Sequence, residues 1–171
     1  MNWVDRGNEQ SGATFSPCGN YRYLLWRKWC PETPSMGFIG LNPSTADEHV
    51  NDATITRLMK RAKDLGAGGL IVGNLFAFRA KEPDDMKKCE EPIGRMNDKA
   101  LLDIACGSYP TLCGWGVHGE FQNRASNAMH EILRVFPANF SCLGLTKGGQ
   151  PRHPLYISYK VHPIPFKPSS V

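Results

Sequence analysis

Polar side chains that can bind a ligand directly follow four apolar runs of the chain. The polar segments are NPSTAD (42–47), NLFAFRAK (74–81), GWGVHG (114–119) and TKGGQPRHPLY (146–156). The amides of Asn42 and Asn74 donate and accept hydrogen bonds, and the imidazole of His153 can donate to a developing negative charge. A loop that only connects a buried strand to the next element does not require amide or imidazole side chains at these positions. The pattern therefore predicts a binding pocket at the strand ends.

A structural explanation is open for each segment taken alone. Asn42 can make an Asx turn before a proline, and Asn74 can tie down neighbouring backbone. The glycines on either side of Trp115 can permit a tight turn, and His153 can cap a loop. Four such segments together favour a shared site, because the carboxyl ends of parallel strands meet at one edge of a sheet, where ligands bind.

The apolar periodicity predicts the elements that position these residues. Continuous apolar runs predict four strands: MGFIGL (36–41), GLIVGNLF (69–76), TLCGWG (111–116) and FSCLGLT (140–146). Amphipathic segments predict helices at 52–66, capped by Asp52, at 97–105, capped by Asn97, and at 123–136. The aromatic segment YRYLLWRKW (21–29) is typical of a further strand or a hairpin arm.

Alternating strands and helices indicate an α/β fold. We expect a three-layer α/β/α sandwich around a central, mainly parallel four-stranded sheet, because the strands are apolar on both faces. We expect a single domain over residues 1–171, with residues 1–15 and 162–171 loosely ordered.

Composition narrows the functional classes. The chain has 171 residues, of which 41% are hydrophobic and 21% charged, as in a globular domain. No apolar run approaches the ~20 residues that a membrane span requires, and the N-terminal segment does not resemble a secretory signal. We therefore expect a cytoplasmic monomer without membrane contact. A net charge of +4 is compatible with an anionic partner, but the sequence has no block of basic residues.

Six cysteines are spread along the chain without a C-x-x-C pair, so a zinc ribbon is not expected. Reduced thiols are the simplest interpretation in a cytoplasmic protein. We expect no metal and no cofactor.

The motifs YRYLLWRKW, GLNPSTADEHVNDATITRL, GNLFAFRAKEP, GWGVHG and LGLTKGGQPRHPLY resemble an uncharacterised bacterial and phage family, from about Cys18 to Tyr156. In the same order, GLNP, IVGNLFAFR, CGWGVHG and RHPLYIS look like motifs of the uracil-DNA glycosylase superfamily. This second resemblance implies a glycosylase-like fold and a DNA or nucleotide-like ligand.

The resemblance also implies residue roles. Asn42 would hold the attacking water, Asn74 would hydrogen-bond the base, and His153 would stabilise charge on the departing base. Breaking an N-glycosidic bond in DNA needs these groups around an extruded nucleotide. The remaining expected substrate contacts are Ser44, stacking by Phe76, Phe78 or Trp115, phosphate binding by Arg79, Lys147 and Arg152, and a wedge formed by Leu155 or Tyr156.

The sequence departs from the superfamily at Asn42 and after His153, where HPLY lacks the Ser-Pro that normally follows His-Pro. Asn42 stands where the most active members have Asp, and an amide cannot take a proton from water. Asp47 and Asp52 are the two candidates for the missing carboxylate. Some members carry a four-cysteine cluster, and an iron–sulfur cluster held by Cys18, Cys30, Cys89 and Cys106 is an alternative to free thiols.

Three functions remain open. The first is a DNA glycosylase that hydrolyses the N-glycosidic bond of a flipped-out, modified or mismatched pyrimidine. The second is a module that binds a nucleotide or nucleic acid without chemistry. The third is a hydrolase of a free nucleoside or nucleotide. Because fold alone does not determine function, the residues of the site must discriminate among them.

Overall fold

The computed structural model describes residues 3–168 and has an α/β architecture built on one eight-stranded mixed sheet. The strands are β1 (Val4–Gly7), β2 (Ser11–Phe15), β3 (Arg22–Lys28), β4 (Ser35–Gly40), β5 (Gly69–Asn74), β6 (Thr111–Cys113), β7 (Phe140–Cys142) and β8 (Ile164–Phe166). Their order across the sheet is β1-β2-β3-β5-β4-β6-β7-β8.

The four strands predicted from apolar runs lie side by side in this sheet. β5 pairs with β4, β4 with β6, and β6 with β7, all parallel. The register places Phe38 opposite Val72 and Gly40 opposite Asn74. The first residues after β4 and β5 therefore emerge next to each other at one edge of the sheet.

Helices cover both faces of the sheet. They are α1 (Ala53–Asp64), α2 (Pro83–Lys87), α3 (Asn97–Gly107) and α4 (Arg124–Val135), with 3-10 helices at Val117–Asn123 and Pro154–Tyr156. On one face, α1 packs its buried Ile55 and Leu58 against Phe38 and Val72 of the sheet. On the other face, α3 and α4 share a core with Ile39. The three-layer arrangement is present, with one long helix on one side and two on the other.

The expectation of a mainly parallel four-stranded sheet is corrected by the strand pairing. Four of the seven pairings are antiparallel: β1 with β2, β2 with β3, β3 with β5, and β7 with β8. The four parallel strands are flanked by β3 on one side and β8 on the other, so none of them forms an edge of the sheet.

The helix ends agree with the sequence at one cap and differ at another. Asp52 caps α1, since its Oδ1 accepts a hydrogen bond from the N–H of Ile55 at 2.8 Å. The N-cap of α3 is Met96 instead of Asn97. Asn97 is the first residue of the helix and is completely buried.

The segments expected to be loosely ordered take part in the sheet. β1 and β2 lie within residues 1–15, and β8 lies within residues 162–171. Each gains backbone hydrogen bonds from its neighbour, which a local sequence pattern does not reveal. The expectation for residues 1–2 and 169–171 lies outside the described residues.

Between residues 3 and 168, no helix combines the length and the apolar character needed to traverse a lipid bilayer.

Candidate functional site

A cavity of about 570 Å³ opens at the carboxyl ends of the parallel strands, on the sheet face covered by α1. Its volume falls within the range of roughly 300–1,000 Å³ that is usual for small-molecule sites. Phe38, Val72 and Trp115 contribute apolar lining. The polar residues of the lining are Arg22, Asn42, Ser44, Asp52, Thr54, Asn74, Lys81, Glu82, His118, His153 and Tyr156.

Asn74, the last residue of β5, presents a buried amide to this cavity. Its side chain lies on the α1 face because it shares the strand parity of Leu70 and Val72. The residue is 5% exposed, and Nδ2 has no hydrogen-bond partner within residues 3–168. A buried donor without a partner costs free energy. Nδ2 is shielded from solvent in this orientation, so a ligand acceptor would satisfy it once the amide turns towards the cavity.

Gly40 makes room for this amide. A Cβ at residue 40 would lie 2.7 Å from Oδ1 of Asn74 and 2.9 Å from Cε1 of Phe38. Both distances are shorter than van der Waals contact, so a larger residue would displace the amide or the ring. The end of β4 is therefore shaped to accommodate the side chain at the end of β5.

Asn42 also lines the cavity, but its amide nitrogen has structural partners. Nδ2 donates to the carbonyl of Ala80 at 2.8 Å and to that of Pro43 at 3.3 Å. These bonds join the turn after β4 to the segment after β5. They fix the orientation of the amide, so that Oδ1 is the atom left to accept a hydrogen bond from water.

His153 precedes the 3-10 helix Pro154–Tyr156 and is half-buried in the cavity wall. Its Nδ1 accepts a hydrogen bond from the N–H of Leu155 at 3.3 Å, so the proton of the neutral ring lies on Nε2. Burial lowers the pKa of His153, and the carboxylate of Asp52 opposes this effect. The environment thus favours a neutral imidazole with one donor available to a ligand.

The first turn of α1 forms another part of the wall. Asp52, Ala53 and Thr54 all line the cavity. One carboxylate oxygen of Asp52 caps the helix, and the other is not used in the cap. The positive end of the dipole of this twelve-residue helix is directed towards the cavity.

Four further predicted residues reach the cavity, among them Leu155, which is half-buried. Ser44 is half-buried in the turn after β4. Trp115 is 2% exposed, and its Nε1 donates to Oε1 of Gln150 at 2.7 Å, so the indole is held in place on its polar edge. Tyr156 is 85% exposed at the rim, where an aromatic ring can stack on a base.

Two expected stacking residues lie elsewhere. Phe76 is completely buried and packs against Phe121, with ring centroids 5.7 Å apart, in the core beneath α3 and α4. Phe78 packs edge-on against Tyr21, with centroids 5.6 Å apart. Neither ring lines the cavity. The chain bends away from the α1 face after Asn74, which directs both rings out of the site.

Four expected polar contacts also lie outside the lining. The carboxylate of Asp47 accepts hydrogen bonds from the backbone N–H groups of His49 and Val50, which lower its pKa. The guanidinium of Arg79 lies over the ring of Phe15 at 5.2 Å. The remaining two, Lys147 and Arg152, are exposed on the loop that precedes His153.

The structure adds Arg22, Lys81, Glu82 and His118 to the site. Arg22 begins β3 and is 3% exposed. The available signal was an arginine inside the aromatic segment YRYLLWRKW, since charged side chains in a buried strand are rare unless they have a partner. Nδ1 of His118 lies 3.0 Å from Nζ of Lys87, within hydrogen-bonding distance.

The six cysteines are free thiols, and they form no metal centre within residues 3–168. Cys18, Cys30 and Cys106 are exposed and Cys89 is half-buried. In the part of the chain that the structure describes, no three His, Cys, Asp or Glu side chains are placed to hold a metal ion. The alternative of a four-cysteine cluster is therefore not supported.

Comparison with known proteins gives one match. The sequence model of the family described as "Protein of unknown function (DUF1643)" matches residues 22–155, which include every residue named above as lining the cavity except Tyr156. No curated protein and no solved structure matches the chain.

Proposed function

The chain belongs to the DUF1643 family, and from its cavity we propose that it is a DNA glycosylase-like enzyme of uracil-DNA glycosylase type, hydrolysing the N-glycosidic bond of an extruded pyrimidine. The observation that carries the proposal is the buried amide of Asn74. Its donor Nδ2 has no partner in residues 3–168, although the amide lies in a cavity large enough for a nucleoside.

The amide suits the edge of a uracil-type base. Nδ2 would donate to a ring carbonyl, while Oδ1 would accept from the neighbouring imide N–H. A cytosine-type edge presents an amino group at the carbonyl position, which would place two donors against each other. We therefore propose that Asn74 selects bases that have a carbonyl at this position.

His153 would act on the leaving group. As the C1′–N1 bond breaks, its electron pair moves onto the base, and negative charge develops on the ring oxygen. A neutral imidazole with its proton on Nε2 can donate to this oxygen, and partial burial strengthens the interaction. The lowered pKa supports the neutral form at physiological pH.

Asn42 and Asp52 would act on the water. Oδ1 of Asn42 would orient the water whose oxygen bonds to C1′, and the carboxylate oxygen of Asp52 that does not cap α1 would receive the proton. Tyr156 at the rim would stack on a neighbouring base and help to hold the extruded nucleotide.

The test is release of base from synthetic DNA. Purified protein is incubated with oligonucleotides that carry uracil, thymine mismatches or modified pyrimidines, and abasic sites are detected by alkaline cleavage. We expect Asn74→Ala and His153→Ala each to reduce the rate by about 10²-fold or more, as for loss of one transition-state donor. Asn139→Ala and His130→Ala, at exposed positions, are the matched controls. Absence of abasic sites on every substrate with wild-type protein would contradict the proposal.

A non-catalytic binding module is the second candidate, and the hydrogen bonds of Asn42 favour it. Both donor bonds of its amide go to backbone carbonyls, and one oxygen of Asp52 is used in a helix cap. Because these groups already have structural roles, few hydrogen-bonding groups are left to hold a catalytic water. Recovery of a bound nucleotide unchanged by mass spectrometry, together with weaker binding by Asn74→Ala, would support this candidate over catalysis.

A further inference from the structure

Arg22 brings a buried positive charge to the floor of the cavity. The residue is 3% exposed and is among the residues that line the cavity. A buried guanidinium is stabilised only when an anion or several hydrogen-bond acceptors compensate for its lost hydration. The partners of its five N–H groups therefore indicate whether the protein alone provides this compensation.

Arg22 has few such partners. Nη1 donates to the carbonyl of Ala46. Nε is buried without a partner, Nη2 makes no hydrogen bond to any described residue, and no ion pair to the guanidinium is formed between residues 3 and 168. The free atoms, Nε and Nη2, form one edge of the guanidinium. This edge binds a carboxylate or phosphate through two parallel hydrogen bonds.

The other buried arginines have more partners, although Nε of Arg61 and Nη2 of Arg124 also lack a hydrogen bond within residues 3–168. Arg27 donates to the side chain of Asn51 and to the carbonyls of Trp26 and Asp47. Arg61 donates to three carbonyls. The fourth, Arg124, donates to the carbonyl of Leu75 and forms an ion pair with Asp98. Arg22 differs from all three because it is also the one that lines the cavity.

The surroundings of Arg22 do not neutralise its charge. Burial lowers its pKa to about 10, Asp52 and Asp47 oppose this effect, and Arg79 and Arg27 reinforce it. The side chain is still charged at neutral pH. The N-terminal turn of α1 adds its positive end to the same cavity.

We propose that Arg22 binds an oxyanion of the ligand at the floor of the cavity, through the free edge of its guanidinium. The proposal rests on the proposed function in that it places a pyrimidine-containing ligand in the cavity of Asn74, and it names the charged group that this ligand presents to Arg22. The shared chemistry is a carboxylate or phosphate oxygen pair. It comes either from an acidic substituent on the pyrimidine or from the phosphate of a mononucleotide that enters phosphate-first.

Calorimetric titration of the wild-type protein tests whether the cavity binds acidic ligands more tightly than their neutral counterparts. The probes are uracil, uracil-6-carboxylate, uridine, uridine 5′-monophosphate and inorganic phosphate. We expect one member of an acidic pair to bind at least about tenfold more tightly than its neutral counterpart. A preference for uracil-6-carboxylate over uracil identifies the base as the source. A preference for uridine 5′-monophosphate over uridine, with competition by inorganic phosphate, identifies the nucleotide phosphate.

Two substitutions assign the preference to Arg22. Arg22→Gln removes the charge and should abolish the acidic preference, while the Kd of the neutral probe changes less than about threefold. Arg22→Lys keeps the charge and should retain part of the preference, although without the two-bond geometry. Arg134→Gln, at an exposed arginine, is the matched control and should bind as wild type.

Equal affinity of the wild-type protein for acidic and neutral probes would overturn the inference, and this result does not depend on whether Arg22→Gln folds. An acidic preference that persists in a folded Arg22→Gln protein would overturn it as well. The role of Arg22 and the proposed function are contradicted by different results. Base release from DNA without an oxyanion preference contradicts only the role of Arg22, whereas Arg22-dependent oxyanion binding without base release contradicts only the glycosylase activity.

Discussion

The side chain of Asn97 holds the backbone of Asn74 in place at the end of β5. Nδ2 of Asn97 donates to the carbonyl of Asn74 at 2.9 Å and to that of Leu75 at 2.8 Å. Asn97 is completely buried in the first turn of α3, on the sheet face opposite the cavity. The amide that we propose to read the base is therefore supported from behind by another amide.

Replacement of Asn97 by alanine should weaken both the fold and the site. The carbonyl of Leu75 keeps its bond from Nε of Arg124 at 2.7 Å, whereas the carbonyl of Asn74 loses this buried donor. We expect the free energy of unfolding to fall by about 1–3 kcal/mol, the usual cost of a lost buried hydrogen bond. Urea denaturation measures this change. Asn139→Ala, at an exposed position, should leave it unaltered.

Gly40→Ala should impair ligand binding while the fold is kept. The new Cβ would meet Oδ1 of Asn74 at 2.7 Å, and the amide would have to leave its present position. The expected result is a shift of the Asn74 side-chain amide resonances together with loss of binding to a uracil-containing oligonucleotide. Gly107→Ala is the control, because a Cβ there meets no atom within 4 Å. Binding as in the wild type by Gly40→Ala would show that the amide position does not matter for the ligand.

Stability should fall on acidification because of His153. Its pKa is lower in the folded protein than the ordinary value of 6.5, so the unfolded chain binds the proton more readily. The free energy of unfolding is then constant well above pH 6.5 and decreases as the pH falls from there towards the folded pKa. Thermal unfolding of wild type and His153→Gln between pH 5 and pH 8 measures the difference.

In His153→Gln this part of the pH dependence should disappear. His130→Gln, which replaces an exposed histidine, should keep the wild-type profile. Identical profiles for wild type and His153→Gln would mean that His153 titrates alike in the folded and unfolded chains.

Arg61→Gln should loosen the segment that carries part of the cavity wall. Arg61 on α1 donates to the carbonyls of Ile157 at 2.9 Å, Ser158 at 2.8 Å and Val161 at 3.1 Å, just after Tyr156. Without these bonds, backbone amides of residues 154–161 should exchange with solvent faster, by about tenfold for each 1.4 kcal/mol of local stability lost. Hydrogen exchange measures the effect.

The exposed Arg134 provides the control for this substitution. Arg134→Gln removes a surface ion pair with Glu131 and should leave exchange in residues 154–161 unchanged. If Arg61→Gln and Arg134→Gln gave the same exchange rates, the bonds from Arg61 would not be what restrains the segment, and the bonds of Arg57 to the carbonyls of Pro154 and Ile157 would be sufficient.

The local sequence pattern was sufficient to predict the central strands of the sheet. Continuous apolar runs predicted the strands that became β4, β5, β6 and β7, because strands covered by helices on both faces have few polar positions. The Asp52 cap of α1 was also predicted, since capping depends on residues three apart in the chain. Because each of them follows a predicted parallel strand, Asn42, Asn74 and His153 were expected to lie at one edge of the sheet, and all three line the same cavity.

The side chains that enter the cavity and the strands that complete the sheet could not be predicted, because both depend on tertiary structure. The pairing of β1, β2, β3 and β8 depends on hydrogen bonds between distant segments, which local periodicity does not encode. Phe76 and Asn74 are two residues apart, yet one lies in the core and the other in the cavity, because the chain bends where β5 ends. The parallel strands and the amides at their ends could be predicted from local sequence. The buried charge of Arg22 beside those amides could not, because it depends on the pairing of β3 with β5.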